Sequence, residues 1–171
     1  MISGAASNTK PSGIPWLGEV PAHWEVKRLK DVLSEPMQYG ANEAAELDDP
    51  DLPRYVRITD VDDAGNLREE TFRSLPTEVA RPYLLRDGDI LFARSGATVG
   101  KTFLYAPSWG TACYAGYLIR NRCEKGSMYA PFLYRFVNSQ QYWQWLDSNT
   151  IQATIQNVSA DKYKGLPIPV P

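Results

Sequence analysis

One stretch, residues 86–105, constrains the fold more than any other part of the sequence. It reads RDGDILFARSGATVGKTFLY and contains two short apolar runs, at residues 90–93 and 102–105, on either side of a polar loop. Both runs are rich in aromatic or branched side chains, which favours strands over helices. The Asp-Gly-Asp sequence around Gly88 is typical of a turn. The stretch therefore predicts a β-hairpin whose tip is the loop of residues 94–101.

The polar loop between the two runs carries groups that suit an anion. Arg94, Ser95, Thr98 and Lys101 supply hydrogen-bond donors of the kind that bind phosphate oxygens. Two glycines in the same loop let the backbone bend tightly or approach a ligand closely. We therefore expect these four side chains to contact the phosphates or the groove of a nucleic acid.

A nucleotide-binding phosphate loop is one alternative for this stretch. That motif needs a glycine, four residues and then Gly-Lys-Ser/Thr. Gly100, Lys101 and Thr102 match its end, but Ser95 occupies its first position. The motif also needs a helix that begins at the lysine, whereas residues 103–107 (FLYAP) favour a strand and end in proline. An ordinary hairpin turn with surface side chains is a further alternative.

Length and composition limit the class of protein. A chain of 171 residues with 43% apolar and 22% charged residues is typical of one folded domain. No apolar run approaches the ~18 residues of a membrane helix, and the N-terminus does not resemble a signal peptide. We therefore expect a cytoplasmic protein without a membrane partner. Two cysteines, Cys113 and Cys123, and one histidine, His23, are too few for the usual zinc site, so we expect no metal.

The charge is distributed unevenly along the chain. Residues 1–70 contain 14 acidic and 7 basic side chains, whereas residues 71–171 contain 6 acidic and 11 basic ones. The two net charges, −7 and +5, agree with the total of −2. Such a separation can present a basic face to DNA while the whole chain stays acidic, although chance segregation of solvated charges gives the same counts.

Apolar periodicity predicts the remaining elements. We expect a disordered tail over residues 1–11 and a single folded domain over residues 12–171. Strands are predicted at residues 54–61 and within 111–123, where Tyr117 and Ile119 should face inward. Helices are predicted at residues 77–85, at 126–138 with Ser127 as its cap, at 139–147 and after Ser159, and the proline-rich residues 165–171 should be extended. This order indicates an α/β (α+β) domain with a twisted mixed or antiparallel sheet and a few packed helices.

An uncharged, amide-rich segment at residues 148–159 is the second functional candidate. Gln152, Gln156 and Asn157 can each pair bidentately with an adenine edge, so we expect them to read bases. The alternative is a polar loop whose amides cap the local backbone. Three further basic residues are candidates for contacts with the DNA backbone, namely Arg57, Arg120 and Lys162.

Four stretches, in this order, resemble the target-recognition domain of a type I restriction–modification DNA specificity subunit. They are residues 12–30 (SGIPWLGEVPAHWEVKRLK), 55–60 (YVRITD), 88–101 (GDILFARSGATVGK) and 158–171 (VSADKYKGLPIPVP). Four ordered motifs are more specific than any one of them. The resemblance covers residues ~12–171 and implies an α/β domain that reads a few base pairs and has no catalytic residues.

The same resemblance implies partners. Double-stranded DNA would be bound together with a methyltransferase (M) subunit and a restriction (R) subunit, and these would use S-adenosylmethionine and ATP, so the chain itself needs no cofactor. A complete specificity subunit resembles two such domains joined by long helices. This sequence contains one domain and no heptad run, so we expect half of a subunit without its spacer helices. A protein-interaction module that has lost DNA binding is the remaining alternative.

Overall fold

A four-stranded antiparallel sheet lies at the centre of the computed structural model, which describes residues 8–150 and 157–171. Strands β6 (Ile90–Ala93) and β9 (Leu118–Asn121) form the middle pair of this sheet. Strand β7 (Thr102–Leu104) flanks β6, and β4 (Gln38–Tyr39) flanks β9. Since β6 and β7 pair antiparallel, the hairpin predicted from residues 86–105 is confirmed.

Three two-stranded sheets surround this centre. In chain order the six strands are β1 (Thr9–Pro11), β2 (Glu19–Pro21), β3 (Glu25–Arg28), β5 (Arg54–Val56), β8 (Ala112–Tyr114) and β10 (Pro167–Val170). β1 pairs with β2 and β3 with β10, both antiparallel, whereas β5 and β8 are parallel. Mixed strand pairing together with helices confirms the predicted α+β class.

Both ends of the described chain are tied to the fold. Residues 9–11, which were predicted to lie in a disordered tail, form β1, with Lys10 opposite Val20. The remainder of the predicted tail, residues 1–7, lies outside the described residues. The proline-rich C-terminal stretch is extended as predicted, and Ile168 pairs with Lys27 of β3.

Strand β6 separates two apolar cores. Successive side chains of a strand point to opposite faces, so Ile90 and Phe92 face the core beneath the helices, and Leu91 and Ala93 face the core around β8. All four side chains are fully buried. Because both faces of the sheet are covered, the sequence of β6 is a continuous apolar run.

Four α-helices complete the domain. They are α1 (Thr77–Ala80), α2 (Ala130–Phe136), α3 (Gln140–Thr150) and α4 (Ala160–Lys164). α1 is shorter than predicted and passes into a 3-10 turn that contains Pro82. α2 begins at Ala130, so the predicted cap at Ser127 is wrong; Pro131 takes a first-turn position that needs no N–H donor. The short helix predicted after Ser159 is confirmed as α4, and the Ser159 side chain caps it by accepting a hydrogen bond from Lys162 N.

Two predicted strand features are wrong for local reasons. The strand expected at residues 54–61 ends at Val56, because the Asp60 carboxylate accepts hydrogen bonds from Arg57 N at 2.8 Å and Arg57 Nε at 2.9 Å and closes a 3-10 turn. Tyr117, predicted to face inward, is 63% exposed. It lies in a tight turn that Leu118 N closes by donating to Ala115 O at 2.9 Å.

Helices α3 and α4 are fastened to the hairpin by two buried tyrosines. Tyr142 and Tyr163 are fully buried and pack edge-on against Phe92, with ring centres 6.4 and 4.9 Å away. Tyr142 OH donates to Gly100 O at 2.7 Å, and Tyr163 OH donates to Ala93 O at 3.1 Å. The two hydroxyls therefore hold both ends of the loop of residues 94–101. Within the described ranges, no helix has the length and apolar character needed to cross a bilayer.

Candidate nucleic-acid interface

The loop of residues 94–101 is closed by backbone hydrogen bonds. Ala93 N donates to Lys101 O at 2.8 Å, and Gly100 N donates to Ala93 O at 2.9 Å. Inside the loop, Gly96–Thr98 form a 3-10 turn. The loop is therefore a defined tip on the hairpin, and it presents the side chains predicted to meet an anion.

The two glycines of this loop have different roles, although both have positive φ. A Cβ on Gly100 would overlap Leu146 Cδ2 and lie 2.9 Å from Trp143 Cζ3, so this glycine makes room for α3. A Cβ on Gly96 would meet no atom of the described residues within 4 Å. Close approach of a ligand to the backbone is therefore possible at Gly96, whereas Gly100 serves internal packing.

A cleft of about 580 Å³ lies beside the loop. Ser95 and Thr98 line it from the loop, Arg57 from the segment after β5, and Tyr117 from the turn between β8 and β9. Three of the residues predicted from sequence, Arg57, Ser95 and Thr98, are thus brought to one place. The volume falls in the range of small-molecule pockets, and hydroxyl groups can both donate and accept.

Arg94 lies where the hairpin meets two other segments. Its guanidinium carbon is 4.8 Å from the ring centre of Tyr39 and 6.0 Å from that of Tyr117. Its backbone N donates to Tyr117 O at 3.1 Å, and its carbonyl accepts from Val158 N at 2.8 Å. The Arg94 side chain therefore lies against Tyr39 and Tyr117, and its backbone is hydrogen-bonded to Tyr117 and Val158.

The end of the amide-rich segment lies against the loop. Asn157 forms an isolated antiparallel bridge with Ser95, and its side chain is exposed. Of the three predicted base readers, Asn157 is therefore next to the predicted phosphate-contact residues. Gln152 and Gln156 lie outside the described residues.

The four other predicted cations differ in how accessible they are. Lys101 is 47% exposed and pairs with Asp63 at 3.1 Å, and Lys162, also exposed, donates to Asn149 O at 2.9 Å. By contrast, Arg57 binds the buried carboxylate of Asp60 at 2.7 Å. The Arg120 side chain is only 7% exposed and pairs with Glu35 at 3.0 Å. This geometry favours structural roles for Arg57 and Arg120, whose phosphate contacts stay predictions.

Sequence reasoning missed the two tyrosines that contact Arg94. Gly40 follows Tyr39 and Gly116 precedes Tyr117, and a Cβ on Gly40 would overlap the backbone of Ala115. The two chain segments therefore approach too closely for side chains at these glycines, and the tyrosine next to each glycine lies against Arg94. A tyrosine next to a glycine, in each of two separate segments, was the available signal.

The acidic residue of the Gly-Asp-Ile-Leu motif has an internal role. Asp89 is fully buried and accepts hydrogen bonds at 2.8 Å from Arg122 Nε, Arg122 Nη2 and Arg86 N. Arg122 also donates to Glu35 at 3.0 Å, and this hydrogen bond is the main cause that lowers the pKa of the Glu35 carboxyl. Asp89 therefore joins the turn that precedes β6 to Arg122, the residue that follows β9.

The remaining chemistry is limited in the part of the chain that the structure describes. It contains no group of three or more His, Cys, Asp or Glu side chains arranged to hold a metal ion. The phosphate-loop alternative is contradicted, since the residues after Lys101 form strand β7 rather than a helix.

The described fold is similar to that of solved type I restriction–modification proteins. A chain from a structure of complex assembly and conformational transition of the type I R-M system superposes with a TM-score of 0.67 and 17% identity, over 89% of this chain and 39% of that one. The HsdS subunit from Thermoanaerobacter tengcongensis superposes with a TM-score of 0.62 and 18% identity, over 97% and 37%. The type I S subunit from M. genitalium superposes with a TM-score of 0.57 and 17% identity, over 86% of this chain and 34% of that one.

These likenesses confirm the fold that the sequence resemblance implied. The chain spans a little over a third of the length of each of these proteins. No family model matches the sequence, and no curated protein sequence matches it significantly.

Proposed function

We propose that this chain is the DNA-reading domain of a type I restriction–modification specificity subunit, and that it recognises one half of a bipartite target. The observation that carries the proposal is the fold shared with S subunits over nearly the whole chain. The four ordered sequence motifs support the same assignment. One of those motifs, residues 88–101, contains the loop that presents Arg94, Ser95, Thr98 and Lys101.

The chemistry of the interface suits DNA. The exposed positive charge of Lys101 suits a phosphate, whereas hydroxyls and the Asn157 amide suit base edges or sugar oxygens. Phosphate contacts would position the domain, and contacts with base edges would give sequence preference. A DNA-binding role also agrees with the excess of basic residues after residue 71.

The proposed role is non-catalytic. Methyl transfer and cleavage would belong to M and R subunits, together with S-adenosylmethionine and ATP, and the chain would work in the cytoplasm without a cofactor of its own. The purified chain should therefore produce neither methylated nor cleaved DNA when both small molecules are supplied. Methyl transfer by the chain alone would overturn this part of the proposal.

Salt dependence provides the first test of DNA binding. If about four to six phosphates are neutralised, the logarithm of the association constant should fall with the logarithm of salt concentration with a slope of roughly −4 to −5. Fluorescence anisotropy with a labelled random-sequence duplex measures this slope, and selection from the same pool identifies the target. A slope near zero would refute DNA binding.

Substitutions then separate positioning from reading. Lys101→Ala should weaken binding about equally on every sequence and reduce the salt slope by about one. Lys27→Ala is a matched control, since Lys27 is 40% exposed and pairs with Glu25 at 2.9 Å on β3; it should leave affinity unchanged. If both variants behave alike, Lys101 is not a phosphate contact.

The amide segment has its own test. Gln152→Ala, Gln156→Ala or Asn157→Ala should cost roughly 1–3 kcal/mol on the selected duplex and little on an unrelated one, because only a base edge differs between sequences. Selection repeated with each variant shows whether preference relaxes at one base pair. Unchanged preference in all three variants would assign this segment a structural role.

A further inference from the structure

We propose that Arg94 is a pre-aligned donor fork, held in place by Tyr39 and Tyr117, that binds two adjacent acceptors on DNA. These acceptors are either O6 and N7 of one guanine or two oxygens of one phosphate. The proposal rests on the DNA-reading function above and adds a named contact with its two positioning residues.

The first argument is the fixed plane of the guanidinium. Arg94 stacks on two aromatic rings, at 4.8 Å from the centre of Tyr39 and 6.0 Å from the centre of Tyr117. A guanidinium is planar, and stacking on aromatic faces restricts its orientation while keeping its charge. A side chain held in this way loses little further freedom when it binds a ligand.

The second argument is that no side-chain hydrogen bond of Arg94 is formed within residues 8–150 and 157–171. Its Nε is buried and has no hydrogen-bond partner within the described chain. Arg57 and Arg122, by contrast, bind the carboxylates of Asp60 and Asp89. Buried donors are normally paired, so a stacked arginine without an internal acceptor is suited to an acceptor supplied from outside. With Nε enclosed, the edge formed by Nη1 and Nη2 is the one that remains.

The third argument is that the stacking partners are themselves fixed. Tyr39 OH accepts a hydrogen bond from Ala160 N at 2.8 Å, which anchors this ring to the start of α4. Tyr117 O accepts from Arg94 N, so the turn that carries the second ring is tied to the loop. Tyr117 remains 63% exposed, and a ligand that reaches Arg94 therefore also meets this ring.

The surroundings agree with a polar, anionic ligand. Ser95 and Thr98 line the adjacent cleft with hydroxyls, and the exposed residue Asn157 pairs with Ser95 through the backbone. Glu43 is the carboxylate that lines the same cleft, and no ion pair joins it to Arg94 within residues 8–150. The cation is therefore available to an acceptor pair from DNA.

Arginine and lysine variants test the fork on the duplex selected with the wild-type chain. A single charge contact would survive Arg94→Lys, but a bidentate contact would not. We expect Arg94→Lys to weaken binding at least about tenfold with an unchanged salt slope, and Arg94→Ala to weaken it further. Wild-type affinity in Arg94→Lys would overturn the fork and leave the DNA-reading proposal intact, whereas a wild-type chain that binds no duplex would refute both.

The positioning role of Tyr117 has a separate readout. Tyr117→Leu keeps an apolar side chain without an aromatic face, whereas Tyr117→Phe keeps the ring. We expect Tyr117→Leu to weaken binding several-fold with an unchanged salt slope and unchanged thermal stability, and Tyr117→Phe to restore the wild-type value. Equal affinities of Tyr117→Leu and wild type would contradict the stacking role.

Modified duplexes distinguish the two acceptor sources. Replacing one guanine at a time by 7-deazaguanine removes N7, and a methylphosphonate removes the charge of one phosphate. If guanine is the ligand, one deaza position should weaken wild-type binding about tenfold but leave Arg94→Lys unaffected. If phosphate is the ligand, one methylphosphonate position should weaken wild-type binding about tenfold but leave Arg94→Lys unaffected. Equal losses in both proteins at every position would refute a fork.

Discussion

Alanine at the two loop glycines should have effects of different size, although both glycines have positive φ. Gly96 has φ +76° and open space around it, whereas Gly100 has φ +87° and faces α3. The backbone cost of placing an L-residue in this region is roughly 1–2 kcal/mol at either position. The two variants therefore share this backbone cost. They differ in the steric cost of the added methyl group.

The steric term can be worked out from the neighbours of Gly100. The added methyl group would overlap Leu146 Cδ2 and crowd Trp143. Leu146 is only 2% exposed and cannot swing into solvent, whereas Trp143, at 36%, can shift. Overpacking of this kind costs about 1–3 kcal/mol. Gly96→Ala should therefore lose about 1–2 kcal/mol of unfolding free energy, and Gly100→Ala about 2–5 kcal/mol.

Urea unfolding followed by tryptophan fluorescence measures both values. The difference of about 1–3 kcal/mol corresponds to roughly 2–12 °C in Tm for a chain of this length. Gly96→Ala is also expected to reduce DNA affinity more than its stability loss explains, because the open space at Gly96 is where a ligand can approach the backbone. Equal stability losses in the two variants would refute the packing role assigned to Gly100.

Three further substitutions test the interior. Asp89→Ala should cost about 3–5 kcal/mol, because it leaves the nearly buried Arg122 without its main partner; urea unfolding checks this. Tyr142→Phe should cost about 1–3 kcal/mol, because Gly100 O loses a buried donor; Tm checks this. Burial raises the pKa of the Cys113 thiol to about 12, so stability should fall from about pH 9 towards pH 12 as only the unfolded thiol ionises. Cys113→Ala should reduce that fall.

Matched controls exist for the first two of these changes. Asp161, 88% exposed, also forms an ion pair, and Asp161→Ala should change stability by less than about 0.5 kcal/mol. Tyr129 is 73% exposed, and Tyr129→Phe should have no effect on Tm. Stability losses in these controls as large as those in the interior variants would contradict the assigned contacts. Burial also raises the pKa of the Cys123 thiol to about 12, so a pH dependence that Cys113→Ala leaves unchanged would be assigned to Cys123 and the buried tyrosines instead.

The hairpin was predictable because its signals are local. Two short β-favouring runs, a turn and a polar tip lie within twenty consecutive residues, 86–105, and no distant contact is needed to interpret them. The signals for the short helix after Ser159 and for the extended C-terminus are local in the same sense. The start of α2 was predicted wrongly, because the apolar spacing extends to Met128. The helix begins only where Pro131 fits its first turn.

The cleft could not be predicted because it depends on contacts between distant segments. Tyr39 and Tyr117 are far apart in sequence yet both lie against Arg94, and no periodicity indicates that Gly40 and Gly116 allow their two segments to approach. Arg57 and Arg120 were chosen as charged residues on predicted strands. Their pairing with Asp60 and Glu35 depends on where the turn after Arg57 and the segment after β3 place those carboxylates.

The attachment of the loop to the core bears on the proposed DNA-reading function. Tyr142 and Tyr163 bind the carbonyls at the two ends of the loop, and both tyrosines are fully buried. Ordering a flexible loop on binding would cost roughly 1–2 kcal/mol per residue in backbone entropy alone, so in the proposed function a loop that is already held by two helices would bind DNA without most of that cost. Because these contacts use backbone carbonyls, the exposed side chains of the loop can change without loss of the attachment. In the proposed function, sequence preference can therefore vary at exposed loop positions such as Ala97 while Arg94 stays aligned.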